Sequence, residues 1–140
     1  MHKTSFLFLI TLAAIVAGCG GRLPTSPQNS LRSGVWGSNE ASLIIKDSTA
    51  TLQILAAPGC FGSYGEIDQP IPTARFTLRG TYTQLMGVSP GKVQYAADYS
   101  GIVEGSQISI TVTVPSLQQS FGPFRLTYGG NSTLVPCLFP

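Results

Sequence analysis

The acid–base groups of this sequence are almost all carboxylates, because its only histidine is His2. Two pairs of carboxylates lie close together along the chain: Glu66 with Asp68, and Asp98 with Glu104. Such a pair can supply the acid and the base of a hydrolase, or hold a divalent cation weakly. Turn residues bracket the first pair, which favours solvated carboxylates. Because no nucleophile elbow or phosphate-binding loop is present, we expect a protein that is not an enzyme and uses no cofactor or metal.

Cys19 ends a short N-terminal segment with the pattern of a bacterial lipobox, small residues before a cysteine: Val16-Ala17-Gly18-Cys19. In such a segment the thiol is lipidated, and cleavage makes the cysteine the new N-terminus. Residues 1–18 have the basic start and short apolar stretch of a secretory signal, too short to span ~30 Å of hydrocarbon as a helix. We therefore predict a signal peptide at residues 1–18 and lipidation of Cys19. The alternative is an ordinary cleaved signal, which would leave Cys19 as an unpaired thiol.

Cys60 and Cys137 are the two thiols that remain when Cys19 is lipidated. An exported chain folds in an oxidising compartment, where two such cysteines form a disulfide by default. The chain-entropy model gives about 4 kcal/mol of stabilisation for the loop that this bond would close. A metal site is the alternative, but residues 19–140 contain no histidine, and two isolated thiols are too few for zinc.

Charge and composition limit the partners that we expect. Residues 19–140 carry seven basic and six acidic side chains, which is no electrostatic footprint for nucleic acid. We predict attachment to a membrane through the lipid alone. Polar and small residues dominate residues 19–33, which we assign as the lipidated N-terminus and a flexible linker before a folded domain at residues 34–140. Gly20 is not the aspartate that commonly retains lipoproteins in the inner membrane. We therefore expect the outer membrane of the cell envelope, with the domain in the periplasm or at the surface.

From residue 34 onward, apolar side chains recur at every second position, the period of a strand with one buried face. In residues 74–83, for example, Phe76, Leu78 and Tyr82 alternate with arginines and threonines. No stretch has the 3.6-residue period and caps of a helix. The sequence predicts strands near residues 35–39, 42–47, 50–56, 60–67, 74–85, 93–104, 107–114, 123–129 and 134–138.

Short turns join most of these predicted strands, which favours an antiparallel up-and-down arrangement. About eight such strands must close into a barrel or fold over into a sandwich. Gly80 and Gly101 fall on inward-facing positions, and glycines inside strands often mark bends at barrel corners. We therefore predict an all-β fold, a small antiparallel up-and-down β-barrel of about eight strands, with a β-sandwich as the alternative.

Gly34-Val35-Trp36 opens the first predicted strand and resembles the G-x-W opening of lipocalin and avidin-like barrels. In those barrels the tryptophan plugs one end, often beneath an arginine from a late strand. The resemblance implies that Trp36 plugs one end of this barrel and that Arg125 is the arginine above it. A core tryptophan of any β domain is the alternative.

A second pattern spans nearly the whole domain and resembles that of a group of small bacterial lipoproteins of unknown function. Its parts here are Gly34-Val35-Trp36-Gly37, Cys60-Phe61-Gly62, Arg75-Phe76 with Gly80-Thr81-Tyr82, the stretch from Tyr99 to Gly105, and Cys137-Leu138. The resemblance implies a shared fold and a lipid-anchored location, and it brings no activity.

Some aromatic and basic side chains are candidates for a ligand site or for the core: Trp36, Tyr82, Tyr99 and Arg125. Aromatic residues beside turns, such as Phe61, Tyr64, Phe121 and Phe124, could also rim a barrel mouth. We expect a membrane-anchored, non-enzymatic envelope lipoprotein that binds a small apolar ligand or another envelope component. A carboxylate-dependent hydrolase and a purely structural or interaction module are the alternatives.

Overall fold

The computed structural model describes residues 30–57, 59–85, 92–130 and 134–137. The predicted signal peptide, the lipidation site at Cys19 and most of the predicted linker lie outside these residues. Within the described residues, no helix is long and apolar enough to cross a membrane.

The described chain consists mostly of β-strands, as the two-residue period predicts. In the strand from Gln107 to Val114, for example, every second side chain is buried and the residues between are more exposed. A 3-10 turn, Pro115–Leu117, interrupts the series late in the chain. The strands are β1 Gly34–Gly37, β2 Ala41–Lys46, β3 Thr49–Ala57, β4 Cys60–Ile67, β5 Phe76–Leu85, β6 Lys92–Glu104, β7 Gln107–Val114, β8 Gln119–Tyr128 and β9 Val135–Pro136.

The strands β1 to β8 form a closed antiparallel barrel. Each strand pairs with the next along the chain, and β8 returns to pair with β1. Closure removes the edges that an open sheet of this size would expose. The predicted up-and-down barrel is therefore confirmed, and the sandwich is not the fold. The short strand β9 adds to the start of β4 and is parallel to it.

Two of the barrel's strand pairings are short. Strands β1 and β8 pair through Trp36 with Tyr128 and Gly37 with Thr127, and β4 pairs with β5 only between Ser63 and Glu66. The other ladders run along most of their strands, and the β5–β6 ladder reaches from Phe76 to Leu85. The barrel therefore consists of two four-stranded halves, β1–β4 and β5–β8, which meet at these two seams.

The inward-facing side chains of all eight strands pack into one hydrophobic core. Leu43, Leu52 and Ile110 are completely buried near its centre. Full burial of an aliphatic side chain of this size contributes about 1.5–3 kcal/mol. The space inside the barrel is therefore occupied by the protein's own side chains.

Residues 30–33, which precede the predicted domain boundary at residue 34, contact the barrel. The Leu31 amide donates a hydrogen bond of 2.6 Å to the Ile71 carbonyl, and Ser30 forms a bridge with Pro72. The Leu31 side chain is only 6% exposed and joins the core. Residues 30–33 thus pack with the barrel domain, because the apolar side chain of Leu31 is buried against the end of the barrel.

Candidate functional site

One end of the barrel, which we call the tether end, lies next to the segment that leads towards the predicted lipidation site. It is formed by the β2–β3 turn, the β6–β7 turn, the connection at residues 68–75 and residues 30–33. The last two segments are held together by the hydrogen bond between Leu31 and Ile71.

Trp36 is a core residue at the tether end of the barrel. It is 2% exposed, and its indole Nε1 donates to the Arg32 carbonyl at 3.2 Å. Its ring meets the ring of Tyr128 at a centroid distance of 5.1 Å and an angle of 71°. This edge-to-face contact joins β1 to β8 at the shortest seam of the barrel, where few backbone hydrogen bonds do so.

Tyr128 is fixed from three sides. Its hydroxyl donates to the Ser33 carbonyl at 3.2 Å, and the guanidinium carbon of Arg32 lies 4.0 Å from its ring centroid. A Cβ atom at Gly34, whose φ is +130°, would come within 3.0 Å of the same ring. The glycine of the G-x-W opening therefore makes room for an aromatic residue of the last barrel strand.

The arginine beside this aromatic pair is Arg32, so the assignment of Arg125 to that place is corrected. Arg125 is exposed and lies between the buried Phe124 and Leu126 in β8. Neighbouring side chains of a strand point to opposite faces, so Arg125 points away from the core that contains Trp36. The sequence does not indicate Arg32 as the partner of the aromatic pair, because Arg32 lies in the polar segment 30–33, in which only Leu31 is apolar.

A cleft of about 390 Å³ opens at the tether end beside this aromatic pair. Its walls are mostly apolar, with a few polar groups at the rim. Residues that line it include Leu31, Arg32, Trp36, Val103, Ser106 and Tyr128.

Comparison with protein-family models, curated proteins and solved structures found no match to this chain. The roles of the residues around the cleft are therefore assigned from their geometry alone.

Tyr99, one of the candidate ligand residues, is a core residue. It is completely buried, and its hydroxyl donates to the Thr81 carbonyl in the neighbouring strand. Burial raises the pKa of the Tyr99 phenol well above its ordinary value, with smaller contributions from Tyr82 and Glu66. The phenol is therefore neutral over the physiological range and acts as a hydrogen-bond donor inside the barrel.

Tyr82 also belongs to the core. It is 3% exposed and stacks on Phe121 at a centroid distance of 5.2 Å, with the rings 15° from parallel. Phe124, three residues after Phe121 in β8, is buried in the core. Tyr82 and Phe124 therefore belong to the core, and Phe121 packs against it.

The four candidate carboxylates do not gather in a cleft. Asp98 and Glu104 lie six residues apart on β6, which corresponds to about 20 Å along an extended strand. Glu66 and Asp68 are both exposed, at the end of β4 and just after it. Among the described residues, no cluster of three or more His, Cys, Asp or Glu side chains is arranged to hold a metal ion.

The predicted pair Cys60 and Cys137 lies at disulfide-bonding distance. Their sulfur atoms are 1.99 Å apart and their Cα atoms 4.9 Å apart. The pair attaches β9 to the start of β4, where the Cys137 amide also donates to the Phe61 carbonyl at 3.0 Å. Phe61 is buried apart from the main core and meets Tyr64 edge to face at 6.3 Å. This cluster packs around the C-terminal strand.

Proposed function

We propose that this protein is a lipid-anchored, non-enzymatic component of the bacterial cell envelope, and that it binds a small apolar ligand in the cleft at its tether end. The same cleft would accept the apolar part of another envelope component. The filled core supports a site at the end of the barrel over the interior site of a lipocalin-like carrier. The cleft at Trp36 is the observation that carries this proposal.

The position of the cleft fits an anchor at Cys19. Ten residues separate Cys19 from Ser30, and they reach about 33–36 Å when fully extended. A Gly- and Ser-rich linker of ten residues has a root-mean-square end-to-end distance of about 16–19 Å. A lipid on Cys19 would therefore hold the cleft within a short distance of the membrane surface, where apolar molecules collect.

Replacement of the lipidated cysteine tests the anchor. We expect the Cys19→Ser protein to leave the membrane fraction in a bacterial expression host, because a lipoprotein of this kind has no other membrane attachment. Quantitative retention of the Cys19→Ser protein in washed membranes would contradict the proposal. Outer-membrane location, inferred from Gly20, is tested by separating the two membranes of the host that expresses the unaltered chain.

Intrinsic fluorescence tests the cleft, because Trp36 is the only tryptophan in the chain. We expect N-phenyl-1-naphthylamine, an uncharged apolar fluorescent probe, to bind the folded Cys19→Ser protein and to accept excitation energy from Trp36. A Ser106→Arg change at the rim should weaken this binding at least fivefold. Ser116→Arg, at an exposed position in the turn after β7, should leave it unchanged. Equal effects of the two changes, or no binding, would overturn the proposed site.

A further inference from the structure

The charged side chains of the described barrel are divided unequally between its two halves. The half from β1 to β4, with residues 30–33, carries two basic and four acidic side chains: Arg32, Lys46, Glu40, Asp47, Glu66 and Asp68. The half from β5 to β8 carries four basic and two acidic ones: Arg75, Arg79, Lys92, Arg125, Asp98 and Glu104. The β5–β8 half therefore has an excess of two positive charges, with Asp98 opposite Arg79 in the β5–β6 ladder. We call the outer surface of this half the basic face, and it would attract an anionic partner.

Two arginines of this basic face stand in one row across four strands. The Val103 amide donates to the Ala74 carbonyl, so the β5–β6 pairing continues past Phe76 and brings Arg75 opposite Ile102. Ile102 pairs with Ser109 of β7, which pairs with Arg125 of β8. Three strand spacings separate the two arginines, which is about 14 Å.

Beside Arg75 the outer surface has a shallow recess of about 270 Å³, and its lining includes Ser109, which pairs with Arg125 of the next strand. Hydroxyl side chains line it beside the Arg75 guanidinium: Thr77, Ser100, Ser109 and Thr111. Within the described part of the chain these hydroxyls form no hydrogen bond to another side chain, whereas the nearby Thr113 and Ser120 hydroxyls bond to each other at 3.0 Å. They are free to donate to a ligand and to accept from it.

We propose that this recess on the outer face of β5–β8 binds an acidic polysaccharide. Serine and threonine hydroxyls match the hydroxyl groups of sugars, and guanidinium groups bind carboxylate or sulfate oxygens in pairs of hydrogen bonds. The residues that line the recess belong to the β5–β6 and β6–β7 ladders. Backbone hydrogen bonds of these ladders therefore hold the hydroxyl groups in fixed positions. This site is distinct from the cleft at the tether end, and neither depends on the other.

Binding of defined polymers to the detergent-solubilised full chain tests this inference. The probes are polygalacturonate and chondroitin sulfate as acidic glycans, dextran as a neutral glycan, and polyglutamate as an anionic polymer without sugar. We expect at least one acidic glycan to bind tenfold or more tightly than dextran and polyglutamate. Failure of both acidic glycans to bind, or equal binding of polyglutamate, would overturn the proposal.

Matched variants separate the recess from general charge attraction. Arg75→Gln and Arg125→Gln should each weaken binding of the acidic glycan at least fivefold, and Thr111→Val should weaken it at least threefold without a change in charge. Lys92→Gln removes one charge from the same half of the barrel outside the recess, and it should change binding less than twofold. A Lys92→Gln effect as large as that of Arg75→Gln, or an unaltered affinity in Thr111→Val with its unfolding midpoint preserved, would refute the site.

Discussion

The hydroxyl of Tyr99 occupies the space that a Cβ atom at Gly65 would need. Tyr99 belongs to β6 and Gly65 to β4, so the phenol reaches across the whole of β5. A Cβ atom at Gly80, on the strand between them, would lie 2.9 Å from the same ring. One aromatic side chain thus spans the short β4–β5 seam over two glycines, as Trp36 and Tyr128 span the β1–β8 seam.

A methyl group at Gly65 should disrupt this arrangement. We expect Gly65→Ala to lower the free energy of unfolding by about 1–3 kcal/mol, the usual cost of overpacking a core. Urea unfolding followed by circular dichroism measures the change. Tyr99→Phe removes the atom nearest to the new methyl group, so the double variant should lose less than the sum of the two single losses. Strict additivity would show that the two sites are not in contact.

Alkaline pH should destabilise the barrel through Tyr99. The pKa of the Tyr99 phenol is raised in the folded state, because the folded barrel favours the neutral phenol. The contribution of Tyr99 to the free energy of unfolding is therefore complete at pH values below about 10, the pKa of tyrosine in the unfolded chain. Above pH 10 the unfolded chain loses this proton first, and stability falls by up to about 1.4 kcal/mol per pH unit. Tyr99→Phe should cost about 1 kcal/mol at neutral pH and show a shallower fall in unfolding free energy between pH 10 and 11.5. Parallel pH profiles for the two proteins would contradict this role.

The bond between Cys60 and Cys137 should stabilise the whole domain. Their sequence separation is 77 residues, for which the chain-entropy model gives about 4 kcal/mol. We expect a lower urea midpoint for the Cys19→Ser/Cys60→Ala/Cys137→Ala protein than for the Cys19→Ser protein, which keeps the bond. A reducing agent should lower the midpoint of the Cys19→Ser protein alone. Titration of that protein in denaturant without reductant should find no free thiol, and two free thiols would refute the bond.

Leu31 should contribute to stability although it stands in a segment of linker composition. Because its side chain is buried under the tether end, we expect Leu31→Ala to cost about 2–5 kcal/mol in unfolding free energy. Ser33→Ala, two residues away at an exposed position, should change it by less than about 0.5 kcal/mol. Equal unfolding midpoints for the two variants would place Leu31 outside the cooperative fold.

The strands and the barrel were predictable because alternation of apolar residues depends only on the local chain. The start of β8 was placed at residue 123, but the strand begins at Gln119. The Gly122-Pro123 pair has the composition of a turn, and the strand passes through it with a shift in register opposite Ile110 and Val112. A tertiary feature, the bulge in the β7–β8 ladder, therefore overrides the local signal.

The sequence predicts the residues of the tether-end cleft less completely than it predicts the fold. Trp36 was identified from the G-x-W opening, but its partner Tyr128 lies in the last barrel strand and meets it only when the barrel closes. Arg32 reaches the same place because Leu31 anchors its segment to the core. Proximity created by closure leaves no periodic pattern along the chain, so the sequence indicates Arg125 in a late strand and gives no sign of Arg32.

The β1–β8 seam also sets the order in which the chain can complete its fold. Every other barrel ladder joins strands that are neighbours in sequence, so each can form as a hairpin on its own. Trp36 must find Tyr128, 92 residues later in the chain, so this seam closes the longest loop of any barrel ladder. Until it closes, β1–β8 form an open sheet whose two edges and apolar inner face are exposed.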